Sequence, residues 1–287
     1  MRLAAFALLA ATAASAQTEW RETPAAGFSI DALTAVGGEA MVATDETGEL
    51  VGSIDVRSSV LLVAGRVPVG AGWAVRAELP LAYASFRGPD GVGGRYDESD
   101  AAIGNPYLGV EVDVRPGLVL GAGVRLPLAN DVNTTEGFGW QGGLGADIER
   151  FEAYVPEVLT VSGAADVVRA LSPSARLRLR LAPAIVVDVA DGENVSGQSG
   201  TGVLLGYGVQ GEVDVRPVTL RAGLVGRPHL TGDRFEVFET TATALAGATV
   251  SVAGVHPGVS VRVPLDRDRF YLDPAATVGV TLDVPIR

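Results

Sequence analysis

Residues 111–127 read EVDVRPGLVLGAGVRLP, and residues 212–228 return to the same pattern as EVDVRPVTLRAGLVGRP. Leu108, Val110, Val112 and Val114 occupy every second position, with Gly109, Glu111, Asp113 and Arg115 between them. Beyond Pro116-Gly117 the alternation resumes, with Leu118, Leu120, Ala122, Val124, Leu126 and Leu128 on one face. A period of two is the signature of a strand with one apolar side, and a tight Pro-Gly turn between two such runs makes a hairpin. The recurrence at 212–228 predicts a second hairpin of the same design.

The same period runs through most of the chain. Trp73, Val75, Ala77, Leu79, Leu81 and Tyr83 share a face opposite Arg76 and Glu78. Leu177, Leu179, Leu181, Ile185, Val187 and Val189 oppose Arg176, Arg178, Arg180 and Asp188. Near the C-terminus Val278, Val280, Leu282, Val284 and Ile286 alternate with polar or small residues. Glycine (37) and proline (16) are both frequent, and both weaken helix interiors.

Proline sits in or beside five short connections, at Pro68, Pro116, Pro173, Pro217 and Pro257. Six longer polar segments lie between them, at about 44–49, 86–99, 130–156, 190–200, 228–234 and 266–273. Short and long connections alternate, which predicts twelve antiparallel strands with both chain ends on the short-turn side. The least regular segment is 139–171, where Ala146 to Tyr154 fits a short helix and 157–171 a strand. An error of two strands there moves the count to ten or fourteen.

Two architectures bury one face of many antiparallel strands. A soluble sandwich turns the apolar face inward, whereas a transmembrane barrel turns it to lipid. Met1-Arg2, the apolar run 3–13 and Ala14-Ser15-Ala16 match a secretory signal peptide over residues 1–16, which leaves 17–287 as the barrel. Short turns on one side and long loops on the other match the periplasmic and extracellular ends of an outer-membrane barrel. Trp73 and Tyr83 lie on one face ten residues apart. With tilted strands that separation is about 25 Å along the membrane normal, the height of an apolar band between aromatic girdles. The fold class predicted is therefore all-β, an antiparallel transmembrane β-barrel in the outer membrane, in contact with its lipid and delivered by the barrel-assembly machinery.

The stretch 102–111 (AIGNPYLGVE), followed after the turn by 123–131 (GVRLPLAND), resembles the outer-membrane barrels of the phenol-degradation (meta-pathway) transporter group. PVGAGW at 68–73 and ELPL at 78–81 fit the same pattern, and the resemblance covers about residues 28–130. It implies a barrel that passes small hydrophobic compounds. The ending Pro285-Ile286-Arg287 departs from the terminal aromatic of many such barrels, a departure that bears on recognition by the assembly machinery.

The inward face carries the candidate functional residues. Asp55, Arg57, Arg76, Glu78, Glu111, Asp113, Arg115, Arg125, Arg176, Arg178, Arg180, Glu212, Asp214 and Arg216 all fall on it by alternation, and are expected to line the lumen. The D-V-R triplets at 55–57, 113–115 and 214–216 place a charged ring toward the short-turn mouth. Arg176, Arg178 and Arg180 make a basic ladder. Such charges either plug the lumen as Arg–carboxylate pairs or line a water-filled path.

Other chemistry is scarce. The chain has no cysteine and no lysine, which excludes thiol chemistry. A net charge of −12 without any basic tract excludes a nucleic-acid partner. His229 in a long loop and His256 in a short turn fall at opposite ends of the barrel, too far apart for one catalytic or metal site. No enzyme activity and no cofactor are expected. The expected function is a channel or transporter for small solutes, hydrophobic ones included. The alternatives are a plugged barrel with a structural or adhesive role, and an enzyme acting on outer-membrane lipid.

Overall fold

The computed structural model describes residues 26–37, 41–44, 50–89, 95–131, 138–189, 200–231, 241–265 and 275–286. The expected signal peptide lies outside them, as does most of the long loops expected at 44–49, 190–200 and 266–273.

Twelve strands close into one antiparallel barrel. They are β1 (Gly27–Val36), β2 (Leu50–Gly70), β3 (Trp73–Pro89), β4 (Arg95–Ile103 and Tyr107–Arg115), β5 (Leu118–Arg125) and β6 (Val158–Ser172). The second half comprises β7 (Ala175–Asp188), β8 (Thr201–Val215), β9 (Val218–Arg227), β10 (Thr241–Val250), β11 (His256–Pro264) and β12 (Ala276–Pro285). Each strand pairs with its neighbours in sequence, and β1 closes the ring against β12, with Phe28 opposite Val284 and Thr34 opposite Val278. No edge is left along the closed wall, as backbone groups in lipid require.

The turn chemistry is the one the prolines and glycines announce. Gly117 has φ +80°, and a Cβ there would collide with the carbonyl of Val168, so glycine is required on both counts. Gly72 and Gly254 take the same left-handed conformation in two other short turns.

Burial along the strands runs opposite to that of a soluble protein. On β7 Leu179, Leu181 and Ile185 are exposed, while Arg178 and Arg180 are buried. On β3 Trp73, Leu79 and Tyr83 are exposed, while Arg76 and Glu78 are buried. The apolar side chains face outward around the ring, with Trp73 and Tyr83 toward the two rims of the band. This is the arrangement a bilayer demands, and it excludes the sandwich.

Besides the short strand His229–Thr231, which pairs with β8 inside the loop expected at 228–234, the wall differs from expectation in two places. The segment 86–99 was expected as a loop, but β3 runs to Pro89 and β4 begins at Arg95. These strands project past the apolar band, so their outward positions turn polar and the lipid-facing alternation stops. Arg87 Nε donates to Asp97 Oδ1 across them at 2.8 Å. The second difference lies in 139–157. Helix α1 (Gly139–Asp147) continues into a 3-10 turn, Ile148–Ala153, and the whole segment folds into the barrel. It begins seven residues before the expected helix.

Candidate functional site

The inserted segment is a plug. Seven of the nine α1 residues are buried, although four of its residues are glycine and it offers no amphipathic stripe. Glycine lowers helix propensity, so packing rather than intrinsic preference holds this helix. The glycines permit close approach instead. A Cβ on Gly142 would overlap the carbonyl group of Tyr83 in the wall, and one on Gly143 would overlap the ring of Tyr154. The start of the helix is capped from outside, because Asp100 Oδ2 on β4 accepts from the backbone N–H of Phe138 and of Gly139, at 3.2 Å each. A carboxylate there complements the helix dipole as well as the unpaired donors.

Two apolar clusters seat the plug on opposite walls. Leu144 and Phe151 pack with Val158, Ala184, Val186 and Leu204 of β6–β8. Ala146, Ala153 and Tyr154 pack with Leu33, Val60 and Ala82 of β1–β3. Between these clusters the contacts are polar. Thr241 and Thr243 on β10 donate to the two oxygens of Glu149, at 2.6 and 2.8 Å. Arg227 on β9 pairs with Glu152, donates to the carbonyl of Glu149 at 2.8 Å, and lies over the Phe151 ring. Arg262 on β11 reaches Asp147 Oδ1 at 3.2 Å, while Arg150 and the Tyr154 hydroxyl bind its other oxygen.

Asn105 sits where β4 is interrupted between Ile103 and Tyr107. Its Nδ2 donates to the carbonyls of Glu152 (3.0 Å) and Val155 (2.7 Å), and its Oδ1 accepts from Ala129 N–H (2.7 Å). Its own N–H donates to the Ala153 carbonyl at 2.7 Å. The break in the wall is thus the point at which the plug is tied to it.

Two plug groups are electrostatically displaced. Burial alone would raise the Glu152 carboxyl, but the charge and hydrogen bond of Arg227, helped by Arg125, together hold it below the ordinary carboxylate value. Burial and the neighbouring Asp147 carboxylate push the Tyr154 phenol well above its ordinary value.

Toward the short-turn end, beneath the plug, lies a belt of charge. Arg66 Nε donates to Glu111 Oε2 at 2.7 Å, and Arg76 Nε to Glu78 Oε1 at 2.8 Å. Arg125 binds Glu78 Oε2 at 3.2 Å and the Asn105 carbonyl at 2.8 Å. Glu212 is shared by Gln210 (2.9 Å), Arg178 (3.4 Å) and Arg176 (3.2 Å). Arg180 stands 3.4 Å from Asp166. Several buried atoms of this belt make no hydrogen bond, namely Arg76 Nη1, Arg178 Nη2, all three nitrogens of Arg180, Glu111 Oε1 and Gln210 Oε1. Each such group costs about 1–3 kcal/mol or more when left without a partner, so the belt is not satisfied in the way a packed core is.

The structure brings Arg76, Glu78, Glu111, Arg125, Arg178, Arg180 and Glu212 together inside the lumen, with Arg176 and Asp214 half-buried at the belt's lower edge. Asp113, Arg115 and Arg216 are exposed at the short turns. Asp55 and Arg57 lie elsewhere. They face outward on the projecting end of β2, exposed and 3.7 Å apart. The D-V-R triplet at 55–57 therefore does not belong to a ring at the short-turn mouth. The alternation on β2 buries Ser58, Val60, Leu62, Ala64 and Arg66, the opposite parity.

Sequence reasoning missed Asp100, Asp147, Glu149, Glu152, Asp166 and Arg227. For the plug a signal existed, in the charges Glu149, Arg150 and Glu152 set among glycine and apolar residues, a mixture ill suited to a solvated loop.

No family model matches the chain, and no curated protein matches it. Among solved structures it is similar to an outer-membrane channel from Pseudomonas putida F1, with TM-score 0.54 and 14% identity, covering 90% of this chain and 94% of that one. It is also similar to the β domain of the Bordetella autotransporter BrkA, with TM-score 0.53 and 13% identity, covering 91% and 99%. The shared fold is that of outer-membrane β-barrels. A channel and an autotransporter domain both use it, so the fold alone does not choose a function.

Proposed function

We infer that the protein is an outer-membrane channel for small solutes, closed at rest by its own plug. The observation that carries this reading is the belt beneath the plug. A barrel filled only for stability would pair its buried donors or replace them with apolar side chains, because half-satisfied polar networks are costly. Here arginine and carboxylate groups face the lumen with hydrogen-bonding capacity to spare, as the lining of an aqueous path does. The likeness to the Pseudomonas putida channel supports a transport role, and the residue-level resemblance to the phenol-degradation transporter group supports small hydrophobic solutes among the cargo.

The plug then acts as a gate, with lipid around the outward band and the barrel-assembly machinery as the route of insertion. No catalytic role is assigned. His256 lies in the short-turn region, with its Nδ1 3.0 Å from Ser251 Oγ, and His229 lies near the long-loop end of the wall.

Planar-bilayer conductance tests the reading. The wild-type protein should show little conductance, and replacing residues 139–153 with a flexible Gly-Ser linker should produce a stable open pore. A folded, plug-replaced barrel that stays silent would sink the channel and leave the structural role.

A further inference from the structure

We propose that Arg180, with Arg76 and Arg178, forms a binding site for a small monocarboxylate in the short-turn half of the lumen. The Arg180 side chain is wholly buried. None of its three nitrogens makes a hydrogen bond, and its ion pair with Asp166 spans 3.4 Å from Nη1. The other carboxylates of the belt are already engaged. Glu78 is held by Arg76 and Arg125, Glu111 by Arg66 and Arg76, and Glu212 by Arg176, Arg178 and Gln210. Arg178 Nη2, two residues along the same face of β7, makes no hydrogen bond, and Arg76 Nη1 makes none either, its ion pair with Glu111 being 3.7 Å long. A guanidinium fork matches the two oxygens of a carboxylate, which can accept from parallel N–H groups.

The surroundings select the class of anion. Ala182, two residues beyond Arg180 on the same face of β7, packs with Tyr107 and Ala164 in an apolar cluster. The Tyr107 side chain is laid along the wall over Gly109 and Gly123, where any Cβ would collide with it. Glu111 and Asp166 flank the arginines and would repel a doubly charged phosphate more than a single carboxylate. The site therefore presents a cationic fork beside a small apolar wall, which fits a carboxylate on a compact apolar body. The assignment deepens the channel reading and rests on it for the route by which the ligand arrives.

Binding is measured without transport. Detergent-solubilised full-length protein is titrated with 4-fluorobenzoate and with 4-fluorobenzamide, followed by fluorine NMR, with acetate and inorganic phosphate as competitors. The acid should bind saturably, the amide at least tenfold more weakly, and acetate should displace the acid better than phosphate does. Arg180→Gln should weaken binding at least tenfold, Arg180→Lys less, and the exposed control Arg57→Gln not at all. Folding of each variant is checked by heat-modifiable electrophoretic mobility, and the acid–amide comparison on the wild type decides even if a variant fails to fold. Equal binding of acid and amide, unaltered binding in folded Arg180→Gln, or better displacement by phosphate overturns the proposal. Binding without conductance in the plug-replaced barrel would leave this site standing and remove the channel; conductance without binding would do the reverse.

Discussion

The two halves of the lumen solve the problem of a polar interior in opposite ways. In the plug half, each carboxylate oxygen of Glu149 has its own threonine, Glu152 has Arg227, and apolar clusters seal both sides. In the belt half, guanidinium and carboxylate groups share partners and leave donors over. One half is built like a protein core and the other like a lined passage. On the channel reading proposed above, that difference assigns closure to the plug and not to the salt bridges of the wall.

The harshest way to break this contrast is to deny the plug its seat while leaving the belt intact. Gly142→Val places atoms where the Tyr83 carbonyl already stands, and a strand inside a closed barrel has no freedom to retreat. Conductance should rise to the level of the plug-replaced barrel, with heat-modifiable mobility unchanged. Closed traces from the folded variant would show that the helix does not gate. A smaller effect is expected from Asn105→Ala, which leaves the Glu152 and Val155 carbonyls and the Ala129 N–H without that partner. Three lost hydrogen bonds at about 1 kcal/mol each predict a loss near 3 kcal/mol, read from urea unfolding, with intermittent rather than permanent opening.

The same contrast explains what could be read from the chain. The belt and the lipid face were legible because a strand repeats every two residues, and one parity locates Arg76, Glu111, Arg178 and Glu212 together. The plug was legible only as a short helix over 146–154, because the rest of its logic is tertiary. Gly139, Gly142 and Gly143 argue against a helix locally, and the reason for them is the wall and the Tyr154 ring, which no local window contains. Its cap, Asp100, lies thirty-eight residues from Phe138. Asp55 and Arg57 were misplaced for a related reason. Past the apolar band the outward positions of β2 are polar and Val56 falls on the other parity, so an apolar parity no longer marks the lipid face.

Acid offers a graded test of the plug half. Glu152 has a folded-state value below the ordinary one, so its tie to Arg227 contributes fully above the ordinary carboxylate range and is lost as pH falls through the lowered value. Conductance should stay flat from about pH 8 to about pH 5 and rise only in stronger acid. Arg227→Ala removes the largest of the lowering causes while burial, which raises the carboxyl, remains. The rise in conductance should then move to higher pH. An unchanged pH profile in that variant would mean that Glu152 does not hold the gate.

The smallest effect is expected where the contrast does not reach at all. Asp55 and Arg57 lie outside the lumen, on strand ends beyond the lipid-facing band, and solvent screens their 3.7 Å pair. Replacing both with Asn and Gln should change stability by no more than about 0.5 kcal/mol. Single-channel conductance of the plug-replaced barrel should be unaltered by the change, whereas Arg178→Gln in the same background should shift its ion selectivity toward cations. Reversal-potential measurements in a salt gradient compare the two directly. If the Asp55 and Arg57 pair moved the reversal potential as much as Arg178, the ion path would run along the outer rim of β2, and the belt would lose its claim to line the passage.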